Sequence, residues 1–296
     1  MTKTGFIAIV GRPNVGKSTL LNSILKEKVA IVSSKPQTTR NKITGIYTNG
    51  ENQFVFLDTP GIHTPKNSLG EYMVNTAEGT YKDADAIILV VDIGKEISRV
   101  EENVIAYLKK SRTPAVLALN KLDLYQREQL AQTIEKYAAL HSFNAFVPIC
   151  AKNRKNVEEL LDECVPFLEE SPWFFPEDMI TDQPERVMAS EIIREKILRT
   201  LNKEVPHGTA VVIEEFKDED TLIRIRAEIF CEKASHKGII VGKGGESLKL
   251  IGTYAREELE KLFGAKVYLN LWVKVKENWR ESARTVENFG YRKDNE

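Results

Sequence analysis

The segment Gly11-Arg12-Pro13-Asn14-Val15-Gly16-Lys17-Ser18 combines a pliable backbone with one cation and one hydroxyl at a spacing that suits a phosphate chain. Glycines let successive N–H groups turn toward an anion. A helix opening behind them adds its positive end, and Lys17 can reach the β and γ phosphates. Ser18 then offers its hydroxyl to Mg²⁺, and Thr19 follows as a further nucleotide contact. The segment sits between an apolar strand pattern and a helical one, a context that favours a nucleotide cradle over a ligand-free glycine turn. It does not separate ATP from GTP.

Base identity is written in Asn120-Lys121-Leu122-Asp123, which closes an apolar strand about a hundred residues further on. A carboxylate only accepts hydrogen bonds, so Asp123 suits guanine, whose N1–H and exocyclic amine both donate; adenine would oppose a lone pair to it. Lys121 is expected along the base face. Ala151 and Lys152 could complete the pocket through a backbone N–H, or could be ordinary loop. Asp58-Thr59-Pro60-Gly61 ends another strand, where the carboxylate can reach Mg²⁺ and the Gly61 N–H the γ-phosphate. The plain alternative there is a Pro-Gly turn capped by Asp58.

These motifs need a scaffold. Apolar runs at Phe6–Val10, Phe54–Leu57, Ala86–Val91, Ala115–Leu119 and Ala145–Ile149 alternate with amphipathic segments, which predicts an α/β domain with a mostly parallel sheet flanked by helices. Four of the eleven prolines fall between Pro166 and Pro184 and exclude a continuous helix or central strand there. The expected organisation is therefore a GTP-binding domain over 1–170, a linker over 171–185 and a second domain over 186–296. In that second part a helix, two strands joined by an acidic turn, a Gly-rich turn, a helix over Glu246–Phe263 and a strand over Lys266–Val275 give the order α-β-β-α-α-β. Trp272, between Leu271 and Val273, is expected in the core, whereas Trp279 and Arg280 are open to a core or a base-stacking role.

The chain has 296 residues, with 42 Lys+Arg against 43 Asp+Glu, so no global basic excess advertises nucleic acid. Locally, Lys233 to Arg280 holds ten Lys or Arg against five Glu. The three cysteines are far apart and lack metal-ligand spacing, which points to a reducing cytoplasm. The N-terminus shows no signal-peptide architecture, and no apolar stretch approaches the roughly 20 residues of a membrane span.

Four signals in series, G-x-x-x-x-G-K-S, T-T-R, D-x-x-G and N-K-x-D, resemble the translation-factor-related class of small GTPases. Ile239-Ile-Val-Gly242-Lys243-Gly244-Gly245 resembles the G-x-x-G loop of a type II KH domain. The pairing of both halves, with LNLWVKVKENWR near the end, is similar to the Era-type GTPases over essentially the whole chain. The resemblance implies GTP hydrolysis to GDP with Mg²⁺ held by Ser18, Thr39 and Asp58, and switch segments at about 30–42 and about 58–80. It carries Lys17, Thr39, Gly61 and Asn14 as the catalytic set. Asn14 is the position that holds K⁺ in potassium-dependent relatives, and a simple turn residue is the alternative. Ile62 stands where some GTPases carry a water-orienting glutamine, so slow intrinsic turnover is expected. Cys150 replaces a serine that is expected to act through its backbone, at little cost.

For the second domain the resemblance implies RNA binding by Gly242, Lys243, Gly244 and Gly245, with Lys237 and Lys249 nearby. The implied target is the 3′ end of 16S ribosomal RNA in the 30S subunit. The implied setting is a cytoplasmic monomer, with peripheral contact at the inner face of the membrane seen in relatives. A GTP-dependent RNA-modifying enzyme lacks a reactive constellation in the C-terminal half. A second domain that binds protein remains the stronger rival.

Overall fold

A computed structural model describes residues 1–219 and 221–292. The chain forms two compact units. One comprises Met1–Thr64 and Met73–Asp182, and the other Pro65–Tyr72 with the chain from Gln183 onward.

In the first unit β1 (Lys3–Val10), α1 (Lys17–Leu25), β2 (Ile43–Asn49), β3 (Asn52–Asp58), α2 (Ser68–Lys82, its first residues grouped with the second unit) and β4 (Ala86–Asp92) come first. Then follow α3 (Arg99–Ser111), β5 (Ala115–Asn120), α4 (Arg127–Leu140), β6 (Ala145–Pro148), α5 (Val157–Asp162) and β7 (Glu169–Glu170). The sheet order is β2-β3-β1-β4-β5-β6, with β7 antiparallel to β1. β1, β3, β4, β5 and β6 pair in parallel, and β2 runs antiparallel to β3. Every residue of β4 is buried, as expected of a central parallel strand covered on both faces. Alternate side chains feed two apolar clusters, one containing Ile9, Leu20, Phe54, Phe56 and Leu160, the other Val10, Leu89, Val104, Leu108 and Tyr137.

Parallel strands bring their C-terminal ends to one edge, where α/β sheets bind ligands. Here that edge receives the loops after β1, β3, β4, β5 and β6 together with the segment that leads into antiparallel β2, and these carry the nucleotide motifs read from the sequence. The proline-containing stretch from Ser171 is fastened to the first unit. The Gln53 Oε1 accepts from the N–H groups of Phe174 and Phe175 at 2.9 and 3.0 Å, and Ile46 N–H donates to Ile180 O at 2.8 Å.

The second unit contains α6 (Glu185–Thr200), β8 (Ala210–Glu219), β9 (Leu222–Cys231), α7 (Ala234–Val241), α8 (Glu246–Phe263), β10 (Lys266–Val275) and α9 (Ala283–Asn288). The order α-β-β-α-α-β is the expected one. β9 lies between antiparallel β8 and parallel β10. Helix α6 departs from a simple amphipathic pattern, because Arg194, Glu195 and Lys196 are buried beside Ile193 and Ile197. They are tolerated because they are paired: Arg194 Nε donates to Glu191 at 2.8 Å and Lys196 Nζ to Glu195 at 2.9 Å.

Trp279 is fully buried and its Nε1–H donates to Gly208 O at 2.9 Å, so it is a core anchor and not a stacking platform. Trp279→Ala should lower stability by about 3–5 kcal/mol through the cavity and the orphaned carbonyl. Thermal unfolding followed in the far UV checks this, and a melt indistinguishable from the parent's would refute it. Trp272 departs from its expected place in the core. It is 60 % exposed, because α8 covers only one face of the three-stranded sheet and residue 272 points to the other.

Candidate nucleotide site and nucleic-acid interface

The phosphate segment leaves β1 and enters α1 through Gly16, whose φ of 101° few other residues would accept. The first bond inside α1 runs from Leu20 N–H to Gly16 O at 2.8 Å. The N–H groups of Lys17, Ser18 and Thr19 precede it and stand at the helix's positive end. Lys17 is buried, and its Nζ donates to Gly11 O at 3.1 Å and to Arg12 O at 3.2 Å. Burial lowers its pKa, with the Asp58 carboxylate acting in the opposite direction.

Three oxygen groups meet beside it. Ser18 Oγ–H donates to Asp58 Oδ2 at 2.5 Å, so the Thr39 hydroxyl, 2.8 Å away, is left to donate to Ser18 Oγ. Asp58 is fully buried, and its second oxygen, Oδ1, has no hydrogen-bond partner. Burial pushes its pKa up to about 6 despite the pull of Lys17 and Ser18. A hydroxyl pair with an under-satisfied carboxylate is a hard-oxygen set of the kind Mg²⁺ takes. Among the described residues no cluster of His, Cys, Asp and Glu competes as a metal site. Asn14, Gly16, Thr19, Gln37 and Gly61 line the same cleft. Asn14 adopts a left-handed conformation, and its Nδ2 donates to Ser34 O at 3.1 Å. Its amide thus spans the phosphate loop and the threonine-bearing loop.

The base motif divides its labour. Asn120 is buried and bolts two loops together: its Nδ2 donates to Val15 O at 2.7 Å and its Oδ1 accepts from Ala151 N–H at 3.0 Å. The Ala151 N–H expected to complete the pocket is therefore engaged by Asn120, while Lys152 is exposed. Lys121 is held by Asp92 at 2.8 Å, which also accepts from Tyr125 Oη at 3.1 Å. Asp123 is exposed and free to face a base. Its Oδ1 accepts from Cys150 Sγ at 3.0 Å, and that bond is the leading reason its pKa lies below the ordinary carboxylate value.

In the second unit α7 ends at Gly242 (φ 75°), where a Cβ would lie 2.8 Å from that of Ser247, and α8 starts after Gly245. Lys237, Lys243, Gly244 and Lys249 are exposed around this turn, as are the apolar side chains of Ile239, Leu250 and Tyr254. Backbone without a side chain, a helix start, cations and an apolar surface thus adjoin one another.

Residues 6–121 match the family described as 50S ribosome-binding GTPase, and residues 204–280 match the KH domain family. GTPase Era of Ruminiclostridium cellulolyticum is 50 % identical over 291 residues, covering 98 % of both chains. GTPase Era of Alkaliphilus oremlandii is 52 % identical over 291 residues, covering 98 % of this chain and 99 % of its own. The chain belongs to the Era family of GTPases. A crystal structure of an Aquifex aeolicus Era variant bound to GDP.AlF4- is 40 % identical with a TM-score of 0.94, over 98 % of this chain and 99 % of the other. Era in complex with MgGDPNP and nucleotides 1506–1542 of 16S ribosomal RNA is 40 % identical with a TM-score of 0.95 and the same coverage.

Two features of this Era-family site were missed from sequence. Cys150, expected to matter only through its backbone, also makes a side-chain hydrogen bond to Asp123. Cys150→Ala should weaken guanine-nucleotide binding about three- to tenfold by leaving Asp123 unsteadied, and Cys150→Ser should retain or improve it. Titration of a fluorescent GDP against both variants measures this, and equal affinities for Ala and Ser would contradict the side-chain role. His63, given no role from sequence, joins the loop after β3 to the segment before β2. Its Nδ1 lies 2.9 Å from Gly61 O and its Nε2 3.2 Å from Gln37 Nε2. A carbonyl can only accept, so Nδ1 carries the proton and Nε2 receives the Gln37 amide.

Proposed function

We propose that this Era-family GTPase is a GTP-governed reader of the 3′ end of small-subunit ribosomal RNA that assists assembly of the 30S subunit. Lys17 and the N–H groups at the start of α1 hold the β and γ phosphates. Asp123 reads guanine, with Asn120 holding its loop against the phosphate loop. Ser18, Thr39 and Asp58 would hold Mg²⁺, which neutralises phosphate charge when bound. Thr39 and Gly61 lie on the loops that respond to the γ-phosphate, and Asn14 is the residue placed to favour a K⁺ ion beside it. Ile62 is buried and aliphatic. It cannot orient an attacking water, so turnover rests on positioning and charge neutralisation.

In the second unit Gly242–Gly245 admits the nucleotide backbone, Lys243 contacts phosphate, and Lys237 and Lys249 add positive potential. The observation that carries this reading is the full-length similarity to an Era that binds the 16S segment and a GTP analogue together. A cytoplasmic monomer is proposed, and the cytoplasmic setting is supported by three buried cysteines that form no disulfide. Among the described residues no helix is long and apolar enough to cross a membrane, and the contact proposed with the inner membrane face is peripheral.

Gly242→Asp with Lys243→Asp tests the reader role. RNA affinity should fall at least tenfold while GTP affinity and the thermal melt stay at parent values. Unchanged RNA affinity would assign the second unit to a protein partner.

A further inference from the structure

The outer face of β10 carries a regular series of side chains. Period-2 alternation puts Lys266, Tyr268, Asn270, Trp272 and Lys274 on one side of the strand, and that row contains no carboxylate. Tyr268 is 53 % exposed and Trp272 60 % exposed. The opposite row, including Val267 and Val273, packs with Ile251, Ala255 and Leu259 of α8, so the outward orientation of the aromatics is fixed by the core. In register, Arg224 stands beside Tyr268 and Arg226 beside Asn270. The Arg224 guanidinium lies 5.7 Å from the centre of the Tyr268 ring. The one carboxylate of β9 on this face, Glu228 opposite Trp272, is neutralised by Lys274 at 2.5 Å.

Two outward rings four residues apart stand roughly 13 Å from one another along a strand. Between them lies the Asn270 amide, which can meet base edges, and Lys266 and Arg226 bring positive charge to the face, whereas Arg224 is paired with Glu219 at 2.8 Å and Lys274 with Glu228. Aromatic rings on an open sheet, flanked by cations, are the arrangement on which unpaired bases stack.

We propose that the outer face of β10 is a second single-stranded RNA platform, distinct from the Gly242–Gly245 turn, on which Tyr268 and Trp272 stack bases while Lys266 and Arg226 add positive potential toward phosphates. The platform rests on the reading of the second unit as an RNA binder. It lengthens the stretch of RNA that one molecule holds and adds affinity with little sequence preference.

The test uses the full chain bound to a GTP analogue, titrated at fixed salt with the 16S 3′-end fragment and with oligouridylate. Parent, Tyr268→Ala, Trp272→Ala and Trp272→Phe are compared, each also in the Gly242→Asp, Lys243→Asp background. Each alanine variant should weaken both RNAs about tenfold. Trp272→Phe should keep most of the affinity, and RNA should quench a tryptophan signal that Trp272→Ala lacks. In the doubly substituted background the residual RNA binding should vanish with either alanine. Parent-like RNA affinity in both alanine variants overturns the platform while leaving the RNA reading intact. Failure of the parent to bind either RNA overturns both. Weaker binding to intact 30S subunits with unchanged affinity for naked RNA also overturns it, and assigns this face to a protein.

Discussion

Asp123→Asn should reduce GTP affinity by a factor on the order of 10²–10⁴ and raise xanthosine triphosphate affinity in return. Two charge-assisted hydrogen bonds to guanine, each worth about 1.5–3 kcal/mol, are lost or inverted by the amide. The same amide can accept from N1–H and donate to the 2-carbonyl of xanthine. The side chain is exposed and accepts a hydrogen bond from Cys150 Sγ, so folding should be unaffected and the change confined to base choice. Parallel titrations with the two triphosphates measure the swap. GTP affinity within a fewfold of the parent would show that Asp123 does not face the base.

Gly16→Ala should be nearly as damaging, although it adds one methyl group. The φ of 101° penalises any side chain, and the new Cβ would lie 2.3 Å from Asn120 Nδ2. Asn120 would have to leave, breaking its bonds to Val15 and Ala151 and separating the phosphate loop from the base pocket. A loss of at least a hundredfold in GTP affinity is expected, from roughly 1–3 kcal/mol of strain and two buried hydrogen bonds. Asn120→Ala tests the route. In that background Gly16→Ala should cost markedly less, as coupled residues do. Full additivity of the two losses would mean that the methyl acts elsewhere.

The sequence made the motifs of the first unit legible because each needs particular residue types at fixed spacing. Less of the surrounding machinery could be read. Strand β2, ITGIYTN, was overlooked because Gly45 and the threonines interrupt an apolar run. Gly45 is there for packing: a Cβ would stand 2.5 Å from Leu21 Cδ1 of α1. Trp272, expected in the core, is exposed, and Trp279, for which two roles were open, is the buried one. An apolar triplet does not reveal which face of a sheet the helices cover, and the bond from Trp279 to Gly208 joins residues far apart in the chain. The bond from Cys150 to Asp123 and the His63 bridge were hidden for the same reason, since each is created by loops that meet only when the parallel strands align their ends.

A guanine switch and an RNA reader share one chain, and linkage requires that the two ligands affect each other's affinity if they share a conformational equilibrium. The most direct measurement is the affinity of the protein for a labelled 16S 3′-end fragment and for a scrambled fragment of equal length, with GDP and then with a GTP analogue bound, at one salt concentration. Clear preference for the native fragment and tighter binding with the GTP analogue are expected. Equal binding of the two fragments, or the same affinity in both nucleotide states, would contradict that expectation.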